Sequence, residues 1–159
     1  MVPEPTAIRV PDSYGITAVP GEKLPWERVE RWLVEGRNYW VCTTRPDGRP
    51  HAKPVWGIWM DDALLFSTDP ASVTGRNLTS NPAVSIHLES GDEAAILDGA
   101  VEREQDRELL ERFADDYQAK YDFRPNTESA STPIYALRPR TVLSWTEADY
   151  PATATRWVF

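Results

Sequence analysis

Cysteine and histidine are scarce in this chain of 159 residues, which has one cysteine, Cys42, and two histidines, His51 and His87. A single cysteine excludes a disulfide within the chain and a cysteine-rich metal site, and it suits a reducing compartment. Two histidines on different predicted strands, without His-x-x-x-His or Cys-x-x-Cys spacing, make a poor metal site. No Gly-x-Ser-x-Gly motif is present, and we interpret Cys42 as a structural thiol rather than a nucleophile. The chain therefore has few side chains that could act as nucleophiles or metal ligands in catalysis.

Long apolar runs and excess positive charge are also missing. Pro3, Pro5 and Pro11 interrupt the first fifteen residues, and no basic start precedes an apolar stretch, so we expect neither a signal peptide nor a membrane anchor. A formal net charge of −8 and a pI near 4.8 repel a polyanion over most of the surface. The sequence therefore predicts a soluble, cytoplasmic protein that binds neither a membrane nor nucleic acid.

The hydrophobic pattern predicts a mainly β protein with flanking helices. Residues 1–24 are proline-rich and without periodicity, which predicts an extended N-terminal arm, and residues 25–159 are long enough for one domain. Helical spacing of apolar residues predicts amphipathic helices at 25–36 and 106–122, with a short helix at 75–81. Strand patterns separated by turn residues occur at 39–44, 50–60, 63–67, 83–88, 94–104, 133–137 and 141–146. Between and within them we predict a hairpin turn at residues 45–49 (RPDGR), a bulge or a close backbone approach at Gly99, and a turn at Arg138-Pro139-Arg140.

Residues 67–77 predict an anion site. Hydroxyl groups, Gly75 and Arg76 meet there at the start of the predicted short helix, where backbone N–H groups carry partial positive charge. Arg76 adds a guanidinium that can donate two hydrogen bonds to a phosphate. Taken alone, however, Ser and Thr before a helix are more often ordinary N-caps than anion ligands.

Several short segments in a fixed order carry a family resemblance. They are residues 41–44 (VCTT), 47–51 (DGRPH), 54–56 (PVW), 65–68 (LFST), 76–78 (RNL) and 81–85 (NPAVS), with Ser72 and Gly99 between them and 155–159 (TRWVF) at the end. In this order and spacing the chain resembles the pyridoxamine 5′-phosphate oxidase-like superfamily of flavin and deazaflavin binders. The resemblance implies a six- or seven-stranded antiparallel split β-barrel with flanking helices, in which two copies form a homodimer with cofactor sites at the interface.

The resemblance also implies which residues bind the cofactor, either FMN or the deazaflavin coenzyme F-420. The residues expected to line the ring are His51, Lys53, Pro54, Val55 and Trp56. The residues expected around the phosphate are Ser67, Thr68, Ser72, Thr74, Arg76 and Asn77. Thr74 stands where many members have a lysine, which removes one positive charge, and Lys53 is the candidate for a second cation. Fourteen arginines against three lysines suggest a GC-rich genome of the kind in which deazaflavin-dependent members are frequent.

Three functional hypotheses follow. The first is an oxidoreductase in which the bound ring transfers hydride to or from a small conjugated substrate, with no catalytic side chain of its own. The second is a non-catalytic flavin, deazaflavin or haem binding or carrier protein. The third is an unrelated small β-barrel whose seven tryptophans line an apolar ligand cavity.

Overall fold

The computed structural model describes residues 2–8, 10–14, 23–150 and 152–159. These ranges form nine strands and three α-helices. The strands are β1 (Glu4–Ala7), β2 (Tyr39–Thr44), β3 (Pro50–Val55), β4 (Gly57–Met60), β5 (Ala63–Ser67), β6 (Ala83–Leu88), β7 (Glu93–Arg103), β8 (Ile134–Thr146) and β9 (Thr155–Val158). The helices are α1 (Trp26–Glu35), α2 (Val73–Ser80) and α3 (Arg107–Tyr121).

All the strands belong to one antiparallel sheet that branches at β8. The main path runs in the order β1-β9-β8-β7-β6-β2-β3, while β5 pairs with both β4 and β8. One edge of β8 pairs with β7 along almost its whole length; the other edge pairs first with β5 and then with β9. The sheet thus divides at β8 into two wings, which confirms the predicted split-barrel architecture. The number of strands exceeds the predicted six or seven because two short strands, β1 and β9, extend one edge.

The hairpin between β2 and β3 confirms the predicted turn. Gly48 has φ 84°, a left-handed value that glycine adopts without steric cost. Arg45 N–H donates to the Arg49 carbonyl at 2.9 Å, and the two strands then pair from Thr44 opposite Pro50 to Tyr39 opposite Val55.

The predicted strand at 50–60 is wrong as a single element, because it is interrupted at Trp56. Residues before the break pair with β2, and residues after it pair with β5. Gly57 permits this change of partner, since a Cβ there would lie 2.9 Å from the Leu65 carbonyl oxygen. The break transfers the chain from one wing of the sheet to the other.

The predicted turn at Arg138-Pro139-Arg140 is also wrong, because β8 is continuous through it. Opposite Gly99 the register shifts by one residue, with Asp98 facing Thr141 and Gly99 facing Pro139. The proline sequence therefore lies at a β-bulge between β7 and β8. Gly99 lies opposite it on β7, which confirms the predicted bulge at Gly99.

Two apolar clusters make up the core. In the larger one α1 packs its buried residues, among them Trp26 and Leu33, against the main sheet. In the smaller one α3 packs Phe113 and Tyr117 against β4 and the start of β8. The predicted helices are confirmed with shifted ends; α2 begins two residues earlier than predicted because Ser72 is its N-cap. The apolar C-terminal segment docks on the core, with Trp157 on β9 buried in the larger cluster.

The predicted N-terminal arm is described only in part. Glu4–Ala7 forms β1 and pairs antiparallel with β9. Residues 1, 9 and 15–22 of the arm lie outside the described residues, so the division of the chain after residue 24 stays a prediction.

At the other end of the main path, β3 has one partner among the described residues and one free edge. Alternate residues of an antiparallel strand direct their backbone groups to opposite edges. Because the Arg49 carbonyl points towards β2, those of Pro50, Ala52 and Pro54 point to the free edge. Two of these three residues have no N–H, so Ala52 is the only one of them that offers a donor there.

Candidate functional site

The first turn of α2 is held by a network of hydroxyl groups. Ser72 caps the helix, because its Oγ accepts a hydrogen bond from Gly75 N–H at 3.0 Å. The same oxygen lies 3.0 Å from the Thr68 hydroxyl. The N–H groups of Val73 and Thr74 have no acceptor within the helix. The N-cap reading of Ser72 is therefore correct, and it leaves two helix donors for another group.

Gly75 lets the preceding loop lie directly on this turn. A Cβ at residue 75 would come within 2.3 Å of the Asp69 carbonyl oxygen and 2.6 Å of Pro70 Cα. Real Cβ atoms do not approach backbone so closely. The position of the loop from Thr68 to Ser72 therefore depends on the absence of a side chain at Gly75.

A second polar network joins α2 to the β2–β3 hairpin. His51 Nε2 lies 3.2 Å from Thr74 Oγ1, and Asn77 Nδ2 donates to Thr43 Oγ1 at 2.9 Å. Thr74 and Asn77 are 1% and 2% exposed, so neither is a surface group. The structure thus brings His51 to the start of α2, while the Asn77 amide serves to fasten the helix to β2.

The side chains of β3 alternate between two faces. His51, Lys53 and Val55 share the face of buried Val41, which lies directly opposite Lys53. Lys53 is exposed on that face and Val55 is half-buried, while Pro54 projects from the other face. His51 and Lys53 are therefore the two side chains of β3 that place nitrogen donors on the side of α2.

Two predicted phosphate ligands, Ser67 and Arg76, lie apart from the others and bond to backbone carbonyl groups. The Ser67 hydroxyl lies 3.2 Å from the carbonyl oxygens of Thr132 and Pro133, so it serves the junction between β5 and β8. The Arg76 guanidinium is exposed and donates to the carbonyl of Ala71 in the loop before α2. Arg76 therefore stays at the margin of the cluster formed by Thr68, Ser72, Thr74 and His51, which we call the α2 cluster.

Trp56 lies at the break between β3 and β4 and is clamped by α3. It is 39% exposed, and its ring stacks on Tyr121 with 4.7 Å between centroids and 6° between planes. The Tyr121 hydroxyl accepts from Gly57 N–H at 3.1 Å and has the carbonyl oxygens of Arg37 and Gly57 at 2.8 Å. The Arg37 guanidinium carbon lies 5.7 Å from the Trp56 ring.

Sequence reasoning missed the roles of Tyr121 and Arg37. Tyr121 falls on the apolar stripe of α3, which predicts a core residue and gives no hint of a partner 65 positions earlier. Arg37 follows α1 in a short polar connection without a motif. A signal was absent in both cases because the contacts join distant parts of the chain.

Lys120 completes the surroundings of this ring stack. Its ammonium group donates to the Val34 carbonyl at 2.9 Å and to the Tyr39 hydroxyl at 3.0 Å. Burial lowers the pKa of Lys120 to about 8, and the Arg37 cation adds to the lowering. Burial also raises the pKa of the Tyr121 hydroxyl, so that side chain stays neutral at physiological pH.

The donor set of the α2 cluster suits an anionic oxygen group. It offers hydroxyls, an imidazole and helix N–H groups, with the cations Lys53 and Arg76 at its margins.

Metal binding has no comparable support, since the described residues contain no group of three or more histidine, cysteine or carboxylate side chains placed to hold an ion. The half-buried thiol of Cys42 does not favour metal binding either, because burial raises its pKa and a metal ligand has to be a thiolate. Within the described ranges, no helix combines the length and apolarity needed to cross a bilayer.

A branched antiparallel barrel with a hydroxyl-lined helix start beside an edge strand defines a class, the split-barrel proteins. The family model described as pyridoxamine 5′-phosphate oxidase matches residues 26–146, and the chain belongs to this family.

Individual relatives place the chain within that class. A pyridoxine/pyridoxamine 5′-phosphate oxidase of Acidothermus cellulolyticus is 34% identical over 70 residues, which cover 39% of this chain and 31% of the relative. The match thus spans less than a third of that protein's length. The crystal structure of the conserved hypothetical protein Rv2991 from Mycobacterium tuberculosis has a TM-score of 0.68 at 21% identity, covering 82% of this chain and 90% of that one. A structure titled F420 reductase has a TM-score of 0.58 at 25% identity, covering 78% of this chain and 98% of that one.

Proposed function

We propose that this protein is a homodimeric oxidoreductase that holds a deazaflavin or flavin with its acidic tail at the α2 cluster and its ring along β3. The observation that carries the proposal is the convergence of Thr68, Ser72, Thr74 and His51 at the first turn of α2, beside an edge strand. Such donors bind phosphate oxygens through charge-assisted hydrogen bonds. When bound, the ring supplies hydride transfer to or from a small conjugated substrate.

The length of β3 fits this orientation. From His51 to Trp56 an extended strand rises by roughly 16 Å, which leaves room for a ring beyond a phosphate held at α2. Along the free edge, the carbonyl groups of β3 and the N–H of Ala52 would face the ring. An edge with one donor among acceptors suits the alternating N–H and C=O groups of a pyrimidinedione ring. The protein's own contribution is to bind, orient and shield that ring.

We favour the deazaflavin coenzyme F-420 over FMN. The F420 reductase structure is the more informative comparison, because the match covers 98% of that chain at 25% identity. Thr74 leaves the α2 cluster without a lysine, and its cations Lys53 and Arg76 lie at the margins, which suits an extended anionic tail better than one compact phosphate.

We infer the dimer from the outer face of the main sheet. Trp40, His87, Ile96 and Leu143 are direct cross-strand neighbours and form a half-buried, largely apolar row on β2, β6, β7 and β8. We propose that a second copy of the chain covers this row, since a two-fold interface presents the same row from both subunits.

Substitutions on and off this row test the dimer. Ile96→Lys is expected to weaken the dimer, whereas Val34→Lys, on the exposed side of α1, is not. Light scattering measures the mass; a wild-type monomer at tens of micromolar would refute the inference.

Cofactor titration tests the function. Purified protein is titrated separately with F-420 and with FMN while ligand fluorescence is recorded. We expect Arg76→Ala to weaken binding by about 1.5–3 kcal/mol, the loss of a charged hydrogen bond, if its guanidinium turns from the Ala71 carbonyl to the tail. Arg31→Ala, an exposed arginine of α1, is the matched control.

Three outcomes separate the alternatives. Binding of neither cofactor below millimolar concentration contradicts the proposal. Binding without reoxidation of the reduced ring by quinones, enones or dioxygen would instead support a carrier. An Arg76→Ala affinity equal to that of the wild type removes Arg76 from the site while leaving the α2 cluster to be tested by Ser72→Ala.

A further inference from the structure

We propose that the outer face of the Trp56 indole and the Arg37 guanidinium form a subsite for a planar aromatic anion. The assignment of that anion as the reducible substrate rests on the function proposed above. The subsite lies at the far end of β3 from the α2 cluster, so the two sites divide the strand between them.

The geometry leaves one face of Trp56 uncovered by the neighbouring rings and by Arg37. Tyr121 stacks on the other face at 4.7 Å. The Arg37 guanidinium carbon lies 5.7 Å from the Trp56 ring and 5.6 Å from the Tyr121 ring. A group that is equidistant from two stacked rings lies beside the stack, because a group on the outer indole face would be much farther from Tyr121. The tilted ring of Tyr117, 6.2 Å from Trp56 and 4.7 Å from Tyr121, also lies to the side.

Trp56 is exposed and yet rigidly held. The tryptophans of the larger core cluster, such as Trp26 and Trp157, are buried. Trp56 by contrast presents 39% of its surface while Tyr121, anchored by hydrogen bonds to Gly57 and Arg37, fixes its plane. An aromatic side chain that is already fixed loses little conformational entropy when a ligand stacks on it. Such a surface favours flat, conjugated molecules.

Two cations, Arg37 and Lys120, lie beside this ring stack. Arg37 is exposed and, within the part of the chain that the structure describes, forms no ion pair with a carboxylate. The Lys120 ammonium lies 5.4 Å from the Tyr121 ring, and its hydrogen bonds go to neutral oxygens of Val34, Tyr39 and Gly57. Two cations without a bound carboxylate favour an anionic ligand, and the planar guanidinium suits a carboxylate.

Binding of three probes tests the subsite. The probes are 2-naphthoate (planar and anionic), 2-naphthylmethanol (planar and neutral) and cyclohexanecarboxylate (anionic and not planar), each titrated by calorimetry into the full chain. We expect 2-naphthoate to bind about tenfold or more tightly than either other probe. Trp56→Leu is expected to weaken both aromatic probes about tenfold, while Trp56→Phe retains most of the affinity.

Arg37→Gln separates charge from stacking. It is expected to abolish the preference for 2-naphthoate over 2-naphthylmethanol without weakening the neutral probe. Arg31→Gln, which removes an exposed arginine from α1, should leave all three affinities unchanged. Unchanged 2-naphthoate affinity in both Trp56→Leu and Arg37→Gln, with native circular dichroism, overturns the proposal.

Repeating the titration with cofactor present separates this inference from the proposed function. Simultaneous binding of 2-naphthoate and the cofactor supports a substrate subsite. Mutual displacement would show that Trp56 holds the cofactor ring, and a change of oligomeric mass in Trp56→Leu would place Trp56 at a subunit contact; either result overturns the subsite. Binding of 2-naphthoate without binding of F-420 or FMN would refute the redox function and leave the aromatic-anion site standing.

Discussion

Gly75→Ala sets two physical effects against each other at the candidate site. In an ordinary helix the change adds stability, because alanine exceeds glycine in helix propensity by about 1 kcal/mol. In α2 the added Cβ would lie 2.3 Å from the Asp69 carbonyl oxygen and 2.6 Å from Pro70 Cα. Both contacts are with backbone, which no rotamer change relieves.

The steric effect should exceed the propensity gain. Overpacking a close contact costs about 1–3 kcal/mol even when the surroundings adjust, and here the whole loop from residue 68 to 72 has to shift. We therefore expect Gly75→Ala to lower the free energy of unfolding by about 1–3 kcal/mol net. Displacement of the loop also separates Thr68 from Ser72, so cofactor affinity should fall with it.

Chemical denaturation of the variant and of a matched control measures the effect. Gly91→Ala adds the same methyl group in the turn before β7, where a Cβ meets no atom within 4 Å, so we expect a change below about 0.5 kcal/mol. A Gly75→Ala protein as stable as the wild type, or more stable, would refute the argument that the loop lies directly on α2.

Three further predictions concern single groups. Tyr121→Phe removes the hydroxyl that accepts from Gly57 N–H, and leaving this buried N–H unpaired should cost about 1–3 kcal/mol in a denaturant titration; no loss would mean that water replaces the hydroxyl. Ser72→Ala should lower the free energy of unfolding by about 0.5–2 kcal/mol because the helix loses its N-cap. An unchanged stability would contradict the capping of Gly75 N–H by Ser72. Because the pKa of Lys120 is about 8 in the fold and higher when unfolded, the unfolded chain binds more protons above pH 8 and stability should rise from pH 8 towards 10. Lys120→Met should lack this rise, and a wild-type stability that falls over the same range contradicts the pKa argument.

Local signals sufficed for much of the fold. Asp47-Gly48 predicted the hairpin because the turn needs a residue with positive φ, and Gly48 has it. The apolar stripe of α3 predicted its buried face because the 3.6-residue period is a property of the helix itself.

Non-local partners explain what the sequence left open. The strand pattern of residues 50–60 continues through Trp56, whereas the chain changes partner there from β2 to β5. Likewise Pro139 looks like a turn from its neighbours, while its pairing opposite Gly99 keeps it in β8. At the candidate site the same limit applies to Ser67, whose hydroxyl is taken by Thr132 and Pro133, which lie 65 and 66 positions away.

The two prolines of β3 also bear on how the molecule avoids misassembly. A strand at the end of a sheet invites another chain to add itself, residue by residue, and such growth ends in fibres. Pro50 and Pro54 lie four residues apart on the open side and deny an incoming strand two of the bonds that it would need. The free edge of β3 therefore disfavours pairing with another strand, while a small molecule that needs only the Ala52 N–H as a donor can still bind there.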